Sequence, residues 1–321
     1  MTVSKISLAL KEWLHHNGLW KARGTDALLV DGNFLKSEYD PRPGDRIYHY
    51  TSAEAADSII STGKLWFSES QKMNDRSEYH FGRENFEEAV ERFRGGFSSE
   101  SIELYHRSLE RQTEMEMMIC SFSKERDDLN QWDRYADSAS GIVLGFNPYW
   151  FVKNPGVRMK SCVYEMEYLE QLVEANLWTL DNAKKILKVS NPLPMDHLAH
   201  LFVCDQYCFK DSRFSSEQEV RLMRSVQVDE RSKTGLVDGA AFSMFNIKQR
   251  PPLVRPFEMK VRKGQYGETR FIELPFVHKS WSALRSIGFG PRCTKTTEDH
   301  FRNKYAKLKY TNFWRSDLPL R

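Results

Sequence analysis

Residues 46–68 read RIYHYTSAEAADSIISTGKLWFS, and this stretch decides the fold class. Its first part, residues 46–51, is rich in the β-branched and aromatic side chains that favour strands, and residues 64–68 have a similar composition. The segment between them has the apolar spacing of a helix. We therefore predict a strand, a helix and a second strand in succession, with His49 at the end of the first strand.

The helix of this unit has sequence signals for its start and its end. Thr51 followed three residues later by Glu54 fits a capping box, so the helix is predicted to begin there. Gly63 is a natural helix end, because glycine adopts the left-handed conformation without steric cost. Between these signals, one apolar face is formed by Ala55, Ala56, Ile59 and Ile60.

Further strands and helices follow without the strict alternation of a doubly wound sheet. The predicted strands are residues 117–123, 141–146, 160–168, 217–223 and 270–274. The predicted helices are residues 128–136, most of 170–211 and 298–309, and residues 83–118 have the pattern of surface helices. This order favours an α+β fold.

The sequence PRPGD at residues 41–45 marks a boundary, because two prolines and a glycine break regular structure. We predict an N-terminal accessory segment, residues 1–45. The rest, residues 46–321, is predicted to be one main α+β domain that ends in a basic, aromatic C-terminal helix.

The overall charge argues against a dedicated nucleic-acid-binding protein. The 321 residues carry a net charge of +3, with 28% charged and 40% hydrophobic residues, which suits a globular domain with a core. Residues 292–321 differ, with eight Lys or Arg against three Asp or Glu, interleaved with aromatic residues. This segment is either a phosphate-facing patch or the solvated face of an amphipathic helix.

The cysteines and the hydropathy pattern predict a cytoplasmic protein. Five cysteines without framework spacing indicate reduced thiols. No secretory signal and no apolar run of membrane-spanning length is visible, so no membrane partner is expected.

A histidine and cysteine cluster has metal-ligand chemistry but unsuitable spacing. His197, His200, Cys204 and Cys208 fall within residues 195–209, which are predicted to form one helix. On a helix they spread over about 16 Å. Because tetrahedral zinc needs all four ligands at about 2.0–2.3 Å, we expect no metal site there.

Residues 217–222, EQEVRL, are the sharpest chemical feature of the chain. If they form a strand, Glu217, Glu219 and Arg221 share one face. Two neighbouring carboxylates repel unless a cation is near, and Arg221, Arg213 or Lys210 can supply one. The pattern fits a carboxylate facing a sugar hydroxyl and a developing positive charge. It also fits a solvated strand face with a surface ion pair.

Three other segments could contribute to a polar ligand site. His49 is followed by the hydroxyl of Thr51 at a helix start, which suits a polar ligand but also simple capping. Asn74, in a segment typical of a tight turn, could line the same cleft as Glu78. Finally, Trp132 and Tyr135 share a helix face and could stack on a flat ring, or belong to the core.

Together these segments resemble a bacterial family of unknown function, domain family 2971. The resemblance covers residues 46–290. It rests on Tyr-His-Tyr-Thr at residues 48–51, Asn-Asp-x-x-Glu at 74–78, Trp-x-x-Tyr-Ala at 132–136 before the strand 141–146, and Lys210 with Glu-x-Glu-x-Arg at 217–221. The family name implies no activity.

The order of the segments is also similar to that of ADP-ribosyltransferases of the His-Tyr-Glu type. This resemblance implies a split β-sheet core and NAD as the substrate. It makes His49 the ribose-binding histidine with Thr51 beside it, although His49-Tyr50-Thr51 departs from the usual His-Gly-Ser/Thr. Tyr135 or Trp132 would stack on nicotinamide.

The same resemblance assigns the acidic segment. Glu219 would be the catalytic glutamate and Glu217 would orient the acceptor. We group Asn74 and Arg221 with the residues expected to bind the cofactor. A carboxylate fixed near the ribosyl cation stabilises the transition state more than the ground state.

We therefore expect an NAD-consuming enzyme that transfers ADP-ribose to a macromolecule, protein or nucleic acid, or hydrolyses NAD. Such an activity would suit a toxin or phage-defence effector. The alternative is a non-catalytic module that binds a nucleotide in the same cleft, or nucleic acid through the basic C-terminal segment.

Overall fold

The structure, a computed structural model, describes residues 39, 41–72, 76–110, 115–152, 154, 156–187, 199, 202–229, 231–238, 256–264, 267–279 and 281–319. The predicted accessory segment, residues 1–45, therefore lies largely outside the described residues, and the predicted boundary stays a prediction. None of the described helices is long and apolar enough to cross a membrane.

Helices and strands alternate irregularly along the described chain. The N-terminal part contains β1 (Ile47–Thr51), α1 (Ala53–Thr62), β2 (Lys64–Glu69), α2 (Arg76–Phe93), α3 (Ser99–Glu110) and β3 (Met115–Ser123). The middle contains α4 (Leu129–Tyr135), β4 (Ile142–Phe146), α5 (Tyr149–Val152), β5 (Arg158–Ser161) and α6 (Met166–Leu187). The C-terminal part contains β6 (Glu219–Val228), β7 (Leu236–Val237), β8 (Lys260–Gly264), β9 (Gly267–Pro275), β10 (Val277–His278), β11 (Trp281–Ser282), β12 (Leu284–Phe289), α7 (Lys295–Lys304) and β13 (Asn312–Arg315).

One large sheet organises these elements, which confirms the α+β prediction. Its main path is β13-β12-β4-β1-β3-β2-β9-β8, and β6 joins it by pairing with β3 and carries β5 and β7. The pair β12–β13 is parallel, and the other pairs of this sheet are antiparallel.

The sheet splits along one edge of β3. The other edge of β3 pairs with β6 over its whole length, from Met115 to Ser123. On the split edge, β1 pairs with Ser123 and β2 pairs with Met118 and Ile119. Within the described strands, residues 120–122 have no partner on that edge. Because α1 connects β1 to β2, the strand–helix–strand unit of residues 46–68 spans this gap.

Two apolar cores hold the sheet and the helices in place. The larger one lies between the sheet and α1, α5 and α7, and includes Leu65, Phe122 and Leu222. The second lies among α2, α3 and α6. A short 3-10 helix, Cys204–Cys208, packs against Met117, Ile119 and Met223 on the face of the sheet opposite the larger core.

The first helix is capped one residue later than predicted. Thr51 ends β1, and the Oγ of Ser52 accepts the hydrogen bond from the Ala55 amide, so Ser52 is the N-cap. Gly63 ends the helix in the left-handed conformation, as predicted. The cap moved because the strand pairing with β4 includes Thr51.

Other corrections concern the ends of predicted elements. The strand predicted at residues 160–168 ends at Ser161, and α6 begins at Met166. Of the helix predicted at residues 195–209, the described residues Ala199, Phe202 and Val203 are α-helical and Cys204–Cys208 form a 3-10 helix, while His197 and His200 lie outside the described residues. The predicted C-terminal helix, residues 298–309, spans Lys295–Lys304, and Phe313 and Trp314 after it lie in β13.

Candidate functional site

A cleft of about 660 Å³ opens where β1 and β2 separate. Its floor is formed by residues 119–123 of β3. Tyr135 and Arg134 of α4 line one side, and residues of α1 and β2 line another. His49, Glu217 and Glu219 line this same cleft, together with Thr51, Gln131 and Lys210.

The two glutamates come from a sharp turn and not from one strand. Glu217 is the last residue of the 3-10 helix Ser212–Glu217, and Gln218 is left-handed with a φ of 43°. Glu219 then begins β6. The prediction that Glu217 shares a strand face with Glu219 is therefore wrong, because the turn at Gln218 ends the 3-10 helix before the strand starts.

Polar contacts on both sides hold this turn. The Oγ of Ser123 donates to the Glu217 carbonyl oxygen at 2.8 Å. The amide of Glu219 donates to the hydroxyl of Tyr164 at 3.0 Å. As a result, both carboxylates are brought to the same point despite lying on different elements.

The ammonium group of Lys210 lies between the two carboxylates. Its Nζ lies 2.5 Å from Oε2 of Glu217 and 3.1 Å from Oε2 of Glu219. The side chain of Lys210 is only 2% exposed, and the ring of Phe214 lies 5.0 Å from the ammonium. A buried cation between two buried carboxylates removes their mutual repulsion and holds both oxygens in fixed positions.

Arg221 holds Glu219 from behind. Its Nε and Nη2 donate to the two carboxylate oxygens of Glu219 at 2.8 and 3.0 Å, and its Nη1 donates to the Tyr207 carbonyl at 2.7 Å. Burial by itself raises the pKa of Glu219, but Arg221 and Lys210 together hold that pKa well below its usual range. Arg221 is buried and does not line the cleft, so it contacts Glu219 instead of a ligand.

Glu217 connects the turn to α4. Its Oε1 accepts hydrogen bonds from Arg134 at 2.8 Å and from the hydroxyl of Tyr135 at 3.1 Å. Burial, reinforced by the Glu217 and Glu219 charges, raises the pKa of Tyr135 above its usual value, so its hydroxyl stays protonated and donates. The aromatic ring of Tyr135 is left at the side of the cleft.

His49 lies in the gap of the sheet as a neutral imidazole. Its Nδ1 is 2.9 Å from the Ser121 carbonyl oxygen, and a carbonyl only accepts, so Nδ1 carries the proton. Nε2 is then the acceptor nitrogen. Burial lowers the pKa of His49 below 6.5, although the hydrogen bond to Ser121 acts weakly in the opposite direction. The lowered pKa keeps the ring neutral at pH 7.

The remaining sequence candidates have different placements. Thr51 lines the cleft beside His49, at the end of β1. Trp132 is fully buried, with its Nε1 donating to Asp127, so of the two rings it is Tyr135 that can meet a ligand in the cleft. Asn74 lies outside the described residues, and the side chain of Glu78 is likewise not described.

The sequence named Lys210 as one of three possible cations for the glutamates but did not single it out as the bridge, and it did not identify Tyr164, Ser121 and Gln131 as parts of the site. The signals for Lys210 were its short distance along the chain from Glu217 and its place in the family resemblance. Ser121 and Tyr164 carry no such signal, because the role of Ser121 depends on the pairing of β3 and that of Tyr164 on how the segment after β5 packs beside Glu219. Among the described residues, no group of three His, Cys, Asp or Glu side chains is placed to hold a metal.

The part of the chain that builds the acidic side of the cleft also has a sequence relationship. The family model described as protein of unknown function (DUF2971) matches residues 131–222. The DUF2971 match includes α4 from Gln131 onward, Lys210 and Glu217 to Arg221, and so confirms the resemblance over that range. The segments at residues 48–51 and 74–78 lie outside it. Neither the curated proteins nor the solved structures give a match to the chain.

Proposed function

We propose that the cleft binds NAD and that the protein breaks the bond between nicotinamide and ribose. ADP-ribose is then transferred to a macromolecular acceptor or to water. The observation that carries the proposal is the carboxylate of Glu219, held by Arg221 and Lys210, which lines the same cleft as the imidazole of His49. The gap in the sheet beside β3 supports the proposal, because the resemblance to ADP-ribosyltransferases implies a split sheet.

Glu219 supplies the charge stabilisation in this scheme. As nicotinamide leaves with the bonding electron pair, the ribose develops the positive charge of an oxocarbenium ion. Arg221 and Lys210 keep the carboxylate ionised and fixed, so it need not reorganise when that charge appears. Nicotinamide departs as a neutral molecule, so the departure itself needs no general acid.

His49 and Tyr135 supply binding and orientation. The Nε2 of His49 is an acceptor and suits a ribose hydroxyl. The ring of Tyr135, fixed by its hydrogen bond to Glu217, suits stacking on the flat nicotinamide ring. Thr51 adds a hydroxyl at the same side of the cleft.

The test is nicotinamide release from NAD by the purified protein, with and without cell lysate. Wild type should release nicotinamide, and Glu219→Gln should lower the rate at least ~100-fold, as for removal of other preorganised transition-state contacts. A dependence on lysate would indicate a macromolecular acceptor. Calorimetry should show that Glu219→Gln still binds NAD.

Glu103→Gln is the matched control, because Glu103 is an exposed carboxylate on α3 that does not line the cleft. It should keep wild-type activity. Thermal melting of both variants separates loss of chemistry from loss of folding. Unchanged turnover in folded Glu219→Gln would exclude the mechanism.

One observation favours the alternative of a non-catalytic binding module. Both glutamates already have cationic partners, Lys210, Arg221 and Arg134, so the network could serve to shape a nucleotide pocket without chemistry. NAD binding without nicotinamide release, with and without lysate, would support this function. Binding of nucleic acid that is sensitive to salt and survives loss of both glutamates would support the nucleic-acid form of it.

A further inference from the structure

The face of the sheet that carries Glu219 extends well beyond the glutamate pair. In the β3–β6 register, Ser121 is opposite Arg221 and Ser123 is opposite Glu219. In the β2–β3 register, Ser68 is opposite Ile119, which shares a face with Ser121. Side chains alternate, so the face of Ser68 on β2 is the face of Glu219 on β6.

Two further residues reach this face from β2 and β8. Trp66 lies two residues before Ser68 on β2 and therefore shares its face. On β9, Phe271 is opposite Ser68, and Thr269, two residues earlier, lies on the same face. Arg262 of β8 is opposite Thr269 and therefore also lies on this face. Both Trp66 and Arg262 line the cleft that contains Glu219.

We call Lys64, Trp66, Lys72 and Arg262 the distal end of the cleft. The guanidinium of Arg262 lies 5.2 Å from the centre of the Trp66 ring, and its Nη2 is 3.3 Å from the Ser68 hydroxyl. Trp66 remains 39% exposed, although the ring of Phe271 supports it at 4.6 Å. An exposed tryptophan with an arginine over it is a surface on which a purine can stack.

The charge of the distal end suits an anion. Lys64 shares Glu273 with Lys260, at 2.7 and 2.9 Å, so one carboxylate serves two cations. Among the described residues, neither Arg262 nor Lys72 has a carboxylate within ion-pair distance. The lining of the cleft has one carboxylate besides the glutamate pair, that of Glu54 in the exposed first turn of α1.

We propose that the distal end binds the ADP half of a dinucleotide. The purine stacks on the Arg262–Trp66 pair, and the lysines bind the phosphates as point charges. This inference rests on the proposed function, because it assumes that nicotinamide ribose occupies the end with His49 and Glu219. It implies that the protein selects a dinucleotide over nicotinamide mononucleotide, which lacks the ADP half.

The test is calorimetric binding of ADP and of nicotinamide mononucleotide to the full-length protein. ADP should bind wild type, and Trp66→Ala and Arg262→Gln should each weaken that binding about tenfold or more. Neither variant should change the affinity for nicotinamide mononucleotide. In nicotinamide release, both should raise the KM for NAD and leave kcat unchanged.

Lys263→Gln is the matched control, because Lys263 precedes the end of β8 next to Arg262 but points to the opposite face. It removes one charge from the same strand and should leave ADP binding unchanged. Thermal melting shows whether each variant is folded, and Arg262→Lys, which keeps the charge but loses the plane, gives a second measure of stacking.

The outcomes separate the subsite from the reaction. ADP binding that needs Trp66 and Arg262, without nicotinamide release, would keep the subsite and reject the proposed function. Nicotinamide release with no ADP binding, or with binding unaffected by Trp66→Ala and Arg262→Gln, would overturn the subsite alone. An equal loss of ADP binding in Lys263→Gln would also overturn the subsite, because the loss would then follow from the lower positive charge of the protein and not from contacts in the cleft.

Discussion

Lys210 is the residue on which the proposed site depends most. It is buried, and its single ammonium neutralises parts of two carboxylates that would otherwise face each other. Removing one partner of a buried ion pair leaves an uncompensated charge, which commonly costs about 3–5 kcal/mol. A residue with this position affects both the stability of the protein and the ionisation of Glu219.

We predict that Lys210→Met lowers the free energy of unfolding by about 3–5 kcal/mol. It should also move the acid limb of the pH profile of nicotinamide release to higher pH. The sign follows from the loss of a cation, which raises the pKa of Glu219, so protonation stops the reaction earlier as the pH falls. Lys210→Arg should restore the profile in part. An unchanged acid limb in folded Lys210→Met would contradict this role.

At this scale the sequence predicted residue types better than their use. His49, Glu217, Glu219 and Tyr135 all line one cleft, and each was a sequence candidate. The sequence did not show whether Trp132 or Tyr135 lines the cleft, because their spacing shows only that the two side chains share a helix face. Which one meets the core depends on how α4 packs on β1 and β4, which the local sequence does not contain.

Among the elements, the turn after α4 is the most strained. Asp137, Ser138 and Ala139 have φ values of 56, 49 and 71°, so three consecutive residues other than glycine are left-handed. Such residues cost about 1–2 kcal/mol each relative to an unstrained conformation. Backbone hydrogen bonds impose the conformation, including those from the Ala139 amide to Trp132 and from Arg292 to Ala139.

We predict that Ser138→Gly stabilises the protein by up to about 1 kcal/mol, because Ser138 is exposed and glycine adopts a positive φ freely. Gly141→Ala should do the opposite, by about 1–3 kcal/mol, since a Cβ there would lie 2.3 Å from the Thr51 carbonyl oxygen. Urea denaturation of both variants measures the difference. A Ser138→Gly protein less stable than wild type would contradict the strain.

Element ends show where local signals suffice. Gly63 ends α1 in the structure, as the sequence predicted, because capping is a local interaction, and Asp128, the first residue of the predicted helix 128–136, is the N-cap of α4. The C-terminal helix was predicted to end at Lys309, but it ends at Lys304. Beyond it, Phe313 stacks on Phe289 as β13 pairs with β12, and this pairing joins segments that are distant in the chain.

For the molecule as a whole, the α+β class followed from the order of the elements, whereas a split sheet was implied only by the resemblance to ADP-ribosyltransferases and its position was not predicted. The split exists because β1 and β2 pair with different segments of the same edge of β3. Such pairing is a property of the assembled sheet. The continuity from Glu219 to Arg262 depends on four strand pairings for the same reason. The sequence predicted residues only at the end of the cleft with His49 and Glu219, and it identified none of the distal end.

The buried glutamate network should make the whole fold sensitive to acid. The pKa of Glu219 is lower in the folded protein than its ordinary value of 4.5. The unfolded chain therefore takes up a proton first, and Glu219 stabilises the fold above about pH 4.5 and loses that effect as pH falls. Each unit of pKa difference corresponds to about 1.4 kcal/mol.

We predict that the free energy of unfolding falls more between pH 7 and pH 4 for wild type than for Glu219→Gln. Urea denaturation at several pH values measures both slopes. Parallel slopes would show that other groups determine the acid response.

All five cysteines are buried as free thiols, and they occupy different depths of the fold. Cys120 lines the cleft, Cys162 follows β5, Cys204 and Cys208 lie on the 3-10 helix, and Cys293 precedes α7. A thiol reagent can modify each one only when its surroundings open. The native protein thus contains five intrinsic probes of local opening. The order of their labelling rates would rank the surrounding regions by how often they open to solvent.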